Sequence, residues 1–174
     1  MNKLLKKKTV RVLNIQFFFL IMQEFKTTKK KYPFKIKIQM KTDFLQLRVR
    51  YGETDQMGVV YYGNYAQYFE MGRTEWLRKM GLSYKWMEDN GILLPVIDFS
   101  VKFKQSAHYD DVLTVKTEIK KIPTIRIHFF YEIFNQKKEL ITTAETTLVF
   151  INKETKKPMM APDYLLEKFR NIEF

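Results

Sequence analysis

Residues 44–50, FLQLRVR, set Leu45, Leu47 and Val49 against Gln46, Arg48 and Arg50. That period of two predicts a half-buried strand. A polar loop from Gly52 to Gly58 follows. From Gly63 to Met80 the period changes to that of a helix. Tyr65, Tyr68, Phe69, Gly72, Trp76 and Met80 fall on one continuous face, while Glu70, Arg73, Thr74 and Arg78 lie elsewhere on the cylinder. Asn64 is placed to cap this helix and Gly81 to end it. Ser83 to Asn90 reads as a second, short helix with Ser83 as cap and Gly91 as stop. Beyond it, residues 93–104, 112–122, 125–134 and 140–151 are rich in Val, Ile, Phe and Thr, as strands are. Short connections at 106–111, at Pro123, at 135–138 and at 152–157 predict antiparallel neighbours, hence a four-strand meander after the long helix. Pro162 to Arg170 is a candidate terminal helix. One long apolar-faced helix among strands joined by short turns predicts an α+β domain whose sheet wraps around that helix. The sheet's other face and its edge need cover, so self-association is expected.

Charge changes the picture at one end only. The 174 residues carry a net charge of +12. Residues 1–39 hold eleven Lys/Arg and one acid, Glu24, whereas residues 40–174 hold twenty Lys/Arg and eighteen acids. The body is close to neutral, and no nucleic-acid partner is expected for it. Within the first segment two lysine clusters flank an apolar run from Val12 to Met22. A membrane-spanning helix needs about 20 apolar residues, so this run is too short. Lys29, Lys30 and Lys31 stand where a secretory signal would have its small-residue cleavage site. Three readings stay open for residues 1–39: an unstructured tail or an artefact of start assignment, with translation beginning at Met40; a basic amphipathic arm on anionic lipid or RNA; or a cleaved targeting peptide. The division is therefore a basic extension, 1–39, and one domain, 40–174. A cytoplasmic protein without membrane contact is expected.

Composition removes several chemistries. The chain has no cysteine and two histidines, His108 and His128. Disulfides, thiol nucleophiles, iron–sulfur clusters and cysteine zinc sites are excluded, and no metal or other cofactor is expected. Glycine spacing forbids G-x-G-x-x-G. Gly58 and Gly63 have P-loop spacing, but Asn64 replaces the lysine. There is no G-x-S-x-G elbow.

The informative stretch is residues 51–65, YGETDQMGVVYYGNY. Asp55 lies in the loop before the long helix, and Gly58 permits a tight turn. A helix N-terminus exposes unpaired N–H groups and partial positive charge, which can hold a developing oxyanion. A carboxylate beside it can serve as nucleophile or general base. One carboxylate, one oxyanion site and an aromatic wall suffice for attack on an activated acyl group with a good leaving group. Bland readings stand beside this one. Asp55 caps turns well; Tyr61, Tyr62, Tyr65 and Phe69 suit a core or an interface; Glu70 and Arg73 suit an ion pair. Asp110 and Asp111 suit a turn before a strand, and His128 a solvated or paired side chain. Lys120, Lys121 and Arg126 suit a solvated basic turn.

The run YGETDQMGVVYYGNYAQYFEMGRTEWLR resembles the opening of hotdog-fold acyl-CoA thioesterases of the 4-hydroxybenzoyl-CoA thioesterase type, particularly the YbgC-like branch. AHYDDVLTVKTEI is similar to that family's strand after its Asp-Asp turn. The resemblance covers nearly all of residues 43–160. It implies a five-stranded antiparallel sheet around a central helix, and a homodimer with a continuous ten-stranded sheet or a homotetramer. It also implies an active site at the dimer interface. By motif position Asp55 matches the catalytic aspartate. Tyr62 matches the residue at the helix start whose backbone N–H polarises the thioester carbonyl; some relatives carry histidine there. The function implied is hydrolysis of a small or medium acyl-CoA, with acyl carrier protein possible as the thiol carrier. Hydratases on this fold use a histidine–acid pair, and no histidine lies near Asp55 in the sequence. The alternative of another class is a non-catalytic acyl-, lipid- or RNA-binding module that works through residues 1–39.

Overall fold

A computed structural model describes residues 42–169. The extension 1–39, the Met40 start and the end of the terminal helix at Arg170 lie outside the described residues. The chain runs β1 (Thr42–Arg48), a 3-10 turn (Tyr51–Glu53), α1 (Asn64–Lys79), α2 (Tyr84–Asp89), β2 (Ile92–Leu93), β3 (Val96–Phe103), β4 (Val112–Glu118), β5 (Arg126–Phe134), β6 (Leu140–Val149), β7 (Ile151–Asn152) and α3 (Asp163–Phe169). Five strands form one antiparallel sheet in the order β1-β4-β5-β6-β3, with α1 against it. This is the α+β hotdog arrangement that was expected.

The meander differs from expectation in one strand. β4, β5 and β6 follow each other as hairpins, but β3 pairs with β6 at the far edge, Phe99 opposite Thr146. The connection after β3 spends its backbone bonds elsewhere. The Val60 N–H donates to the Ala107 carbonyl at 2.8 Å, and Val59 bridges His108. The Asp110 N–H donates to the Val49 carbonyl at 3.1 Å, and the Val49 N–H to the Asp111 carbonyl at 2.9 Å. The segment is thus a crossover lashed to the loop before α1 and to the end of β1. The strand expected over 93–104 is also interrupted: after β2, which pairs with β7, comes Pro95, which has no ladder donor.

The predicted face of α1 is the buried one. Tyr65, Tyr68, Phe69, Gly72 and Trp76 are buried, with Met80 just past the end. Trp76 stacks on Phe169 at 5.8 Å and meets Phe129 edge-on at 5.5 Å, while Phe69 lies 4.9 Å from Tyr131. The helix ends as anticipated. Gly81, at φ +77°, donates to the Arg78 carbonyl at 2.8 Å, and the Leu82 N–H donates to the Leu77 carbonyl at 2.9 Å. Ser83 caps α2 through the Trp86 N–H at 3.1 Å.

Arg73 departs from its expected place. It keeps the Glu70 ion pair at 3.6 Å but is only 7% exposed, because its Nε donates to the Tyr84 hydroxyl on α2 at 3.2 Å. A guanidinium can enter a face when a neighbouring element supplies an acceptor.

Gly72 sets how closely α1 approaches the sheet. A Cβ there would lie 2.5 Å from Thr117 Oγ1 and 3.0 Å from Val115 Cγ1, both on β4. We expect Gly72→Ala to lower stability by about 1–3 kcal/mol, the usual cost of overpacking, read as a lower midpoint in urea unfolding. An unchanged midpoint would show that α1 can slide off β4 freely. Among the described residues no helix is long and apolar enough to cross a membrane.

Candidate active site

The loop between β1 and α1 is a small hairpin. Thr54 bridges Val60, the Asp55 N–H donates to the Val59 carbonyl at 2.9 Å, and the Gly58 N–H donates to the Asp55 carbonyl at 2.9 Å. Gly58 sits at φ +75°, where a side chain would be strained. Asp55 therefore opens the turn, and its Oδ1 accepts the Met57 N–H at 2.8 Å. The turn-capping reading of Asp55 holds as far as that one oxygen. The other carboxylate oxygen has no hydrogen-bond partner among the described residues.

At the helix start the cap is Gly63, not Asn64. Asn64 is already helical, and its side chain donates rather than accepts, its Nδ2 giving a 2.7 Å bond to the Glu53 carbonyl. Among the described residues the amides of Tyr62 and Gly63, in the turn that leads directly into α1, donate no backbone bond. Asp55 and Tyr62 line one cavity of about 290 Å³ together with Val60, Tyr65, Phe103 and Lys104. The two residues singled out from sequence are thus brought together, on the same opening. Tyr62's own ring is largely exposed and lies 4.5 Å from that of Tyr61. The hydrogen bond and charge of Tyr62 raise the Tyr61 phenol above its ordinary value. Tyr65 and Phe69 are buried, as a core reading expects, and burial raises the Tyr65 phenol.

Glu53 is a residue the sequence reading passed over. Its Oε2 accepts the Arg50 N–H and the Tyr68 hydroxyl, both at 2.8 Å. Its carbonyl accepts the Tyr61 N–H at 2.9 Å besides the Asn64 amide. The visible signal was an acid two residues before Asp55 and a tyrosine at the second turn of α1, but hydropathy assigns that tyrosine to the core alone.

The remaining candidates fall to structural roles. Asp110 sits at φ 69° and pairs with Arg48 at 2.9 Å. His128 meets Thr147 Oγ1 through Nδ1 at 3.0 Å, and Lys120 lies 3.8 Å from the centre of the Phe130 ring. Asp111 ties the crossover: Oδ2 accepts the His108 N–H at 2.7 Å and Oδ1 the Gln136 amide at 3.0 Å. Burial alone would raise the Asp111 carboxyl, but Gln136 and the His108 amide and ring outweigh it and hold the group below its ordinary value. A lowered folded value stabilises above the unfolded pKa of about 3.9 and loses that contribution as pH falls through the folded value. We expect Asp111→Asn to flatten the acid limb of a melting-temperature profile below about pH 4; an unchanged limb would remove Asp111 from the acid response.

The profile of the thioesterase-like superfamily matches residues 49–169. The protein YneP of Bacillus subtilis is 37% identical over 114 residues, which is 66% of this chain and 83% of that protein. The acyl-CoA thioester hydrolase YbgC of Escherichia coli is 30% identical over 124 residues, covering 71% of this chain and 92% of that one. Among solved structures, a DHNA-CoA thioesterase from Staphylococcus aureus superposes with a TM-score of 0.70 at 41% identity, over 75% of this chain and 87% of that one.

Proposed function

The chain belongs to the thioesterase-like superfamily, and we propose that it is an acyl-CoA thioesterase acting on small or medium acyl groups, with Asp55 as nucleophile or general base. The observation that carries this reading is that Asp55, with one carboxylate oxygen free among the described residues, and Tyr62, whose amide donates no backbone bond, line one cavity, with the Gly63 amide next in the chain. The thioester carbonyl lies against those amides, which hold the negative charge that grows on its oxygen. Asp55 either attacks the carbonyl carbon or takes a proton from a water that does. The C–S bond then breaks and CoA leaves as thiolate. A thiol pKa of about 8.5 makes it a good leaving group without a strong acid. Direct attack passes through a mixed anhydride of Asp55, which water hydrolyses to acid and free carboxylate. An acyl carrier protein thioester presents the same reacting atoms.

We place the working enzyme in a homodimer or homotetramer. β3 is an edge strand of the sheet, and Val96, Ile97, Phe99 and Phe103 on it are exposed in the single chain. A panel of acyl-CoA esters, tested on the full chain and on a chain starting at Met40, decides the function. The thioesterase reading expects equal turnover by both and only a small residual rate from Asp55→Asn. The binding-module reading expects no turnover, and ligand binding that falls steeply with salt and is lost with residues 1–39.

A further inference from the structure

Resting on the thioesterase reading, we propose that Glu53 and Tyr68 are positioning residues that hold the Asp55 hairpin in register with the oxyanion amides at the start of α1. The two halves of the site come from different pieces of chain. The amides are fixed by the helix. Asp55 rides on a partly exposed hairpin, and a displacement of about 1 Å in such a group can cost about 10²-fold in rate. Glu53 is where that hairpin is fastened. Its carboxylate takes the Tyr68 hydroxyl from the second turn of α1, and its carbonyl takes the Tyr61 N–H and the Asn64 side chain from the helix start. The same carboxylate takes the Arg50 N–H, closing the 3-10 turn from the other side. Two residues further on is Asp55.

Tyr68 is suited to the task. Its ring is buried in the core, so its hydroxyl is a fixed point. Burial, and then the Glu53 carboxylate, push its phenol far above the ordinary value, so it remains a donor at any working pH. Glu53 does not line the cavity and makes no contact that would read substrate. Loss of the clamp should therefore appear in kcat and not in KM.

The test is steady-state kinetics, on the best acyl-CoA of the panel, of Tyr68→Phe, Glu53→Gln and Glu53→Ala, beside wild type and Asp55→Asn. Tyr68→Phe keeps the packed ring and loses only the donor. We expect its kcat to fall about ten-fold with KM within about two-fold. Glu53→Ala, which frees both ends, should fall about a hundred-fold. Glu53→Gln keeps an oxygen acceptor for Arg50 and Tyr68 and should recover to within about three-fold of wild type. Thermal melts identify any variant that fails to fold, and Tyr68→Phe decides the matter if Glu53→Ala does. Inactive Asp55→Asn beside Tyr68→Phe with wild-type kcat overturns the clamp alone. Wild type and Asp55→Asn of equal turnover overturn the thioesterase reading and the clamp together.

Discussion

Asp55→Asn should lose acyl-CoA hydrolysis almost completely while folding as the parent does. The asparagine amide oxygen can still accept the Met57 N–H that Asp55 Oδ1 accepts at 2.8 Å, so the hairpin keeps its turn. The loss is the second carboxylate oxygen, the one without a partner among the described residues. A positioned general base is worth about 10²–10⁴ in rate, and we expect kcat to fall by at least that much. The amides at the helix start remain and are worth about 10²–10³ each in comparable sites, so a residual rate above the uncatalysed one should persist. Release of free thiol measures the rate, and a thermal melt shifted by no more than about 0.5 kcal/mol, as for ordinary surface changes, certifies the fold. Wild-type turnover by a folded Asp55→Asn would remove Asp55 from the mechanism. A single-turnover reaction in H₂¹⁸O then separates its two roles. Label entering the Asp55 carboxylate marks attack by Asp55 itself. Where label is confined to the released acid, trapping of an Asp55 anhydride with hydroxylamine marks attack by Asp55 and opening at the acyl carbon, and no trapped adduct marks water as the attacking group.

Much of this site was legible before any coordinates, for a local reason. Asp55, Gly58 and Tyr62 lie within one turn and the start of one helix, so their juxtaposition follows from neighbours in sequence. The same is true of α1, whose apolar period and terminal Gly81 specify both its buried face and its end. What was hidden depends on partners distant along the chain. Phe103 reaches the cavity only because β3 crosses to the far edge of the sheet, and a short polar connection looks the same whether it turns a hairpin or spans the fold. Arg73 is buried because Tyr84, on another helix, accepts its Nε–H. Asn64 has the side chain of a cap, but Glu53 offers it a carbonyl, so it donates instead. In each case the residue's type was read correctly, and the partner that decided its role could not be located by period or composition.

Ile97→Asp should convert an active oligomer into an inactive single chain. β3 ends the sheet, so one row of its N–H and C=O groups faces outward, and Val96, Ile97, Phe99 and Phe103 on it are each between 43% and 51% exposed. At the other edge of the sheet, Leu45 and Leu47 of β1 pack against the core and Phe44 is the large apolar side chain left exposed. An unpaired edge that is also apolar invites another strand. A second copy, turned antiparallel about a two-fold axis, satisfies both the backbone and the side chains. Ile97 is already half-exposed in the single chain, so a carboxylate there costs that chain about 0.5 kcal/mol or less. In a closed interface the same carboxylate is desolvated without a partner, which costs several kcal/mol. Phe103 lies both on this edge and in the wall of the cavity with Asp55, so a copy paired on this edge would border the site and its loss would open it. Sedimentation velocity and turnover, measured on the same samples, should move together. Wild type is expected at a multiple of 21.1 kDa and fully active, and Ile97→Asp at the mass of one chain with turnover lost. A wild-type chain that sediments as one copy at full turnover would show that the site is complete without a partner.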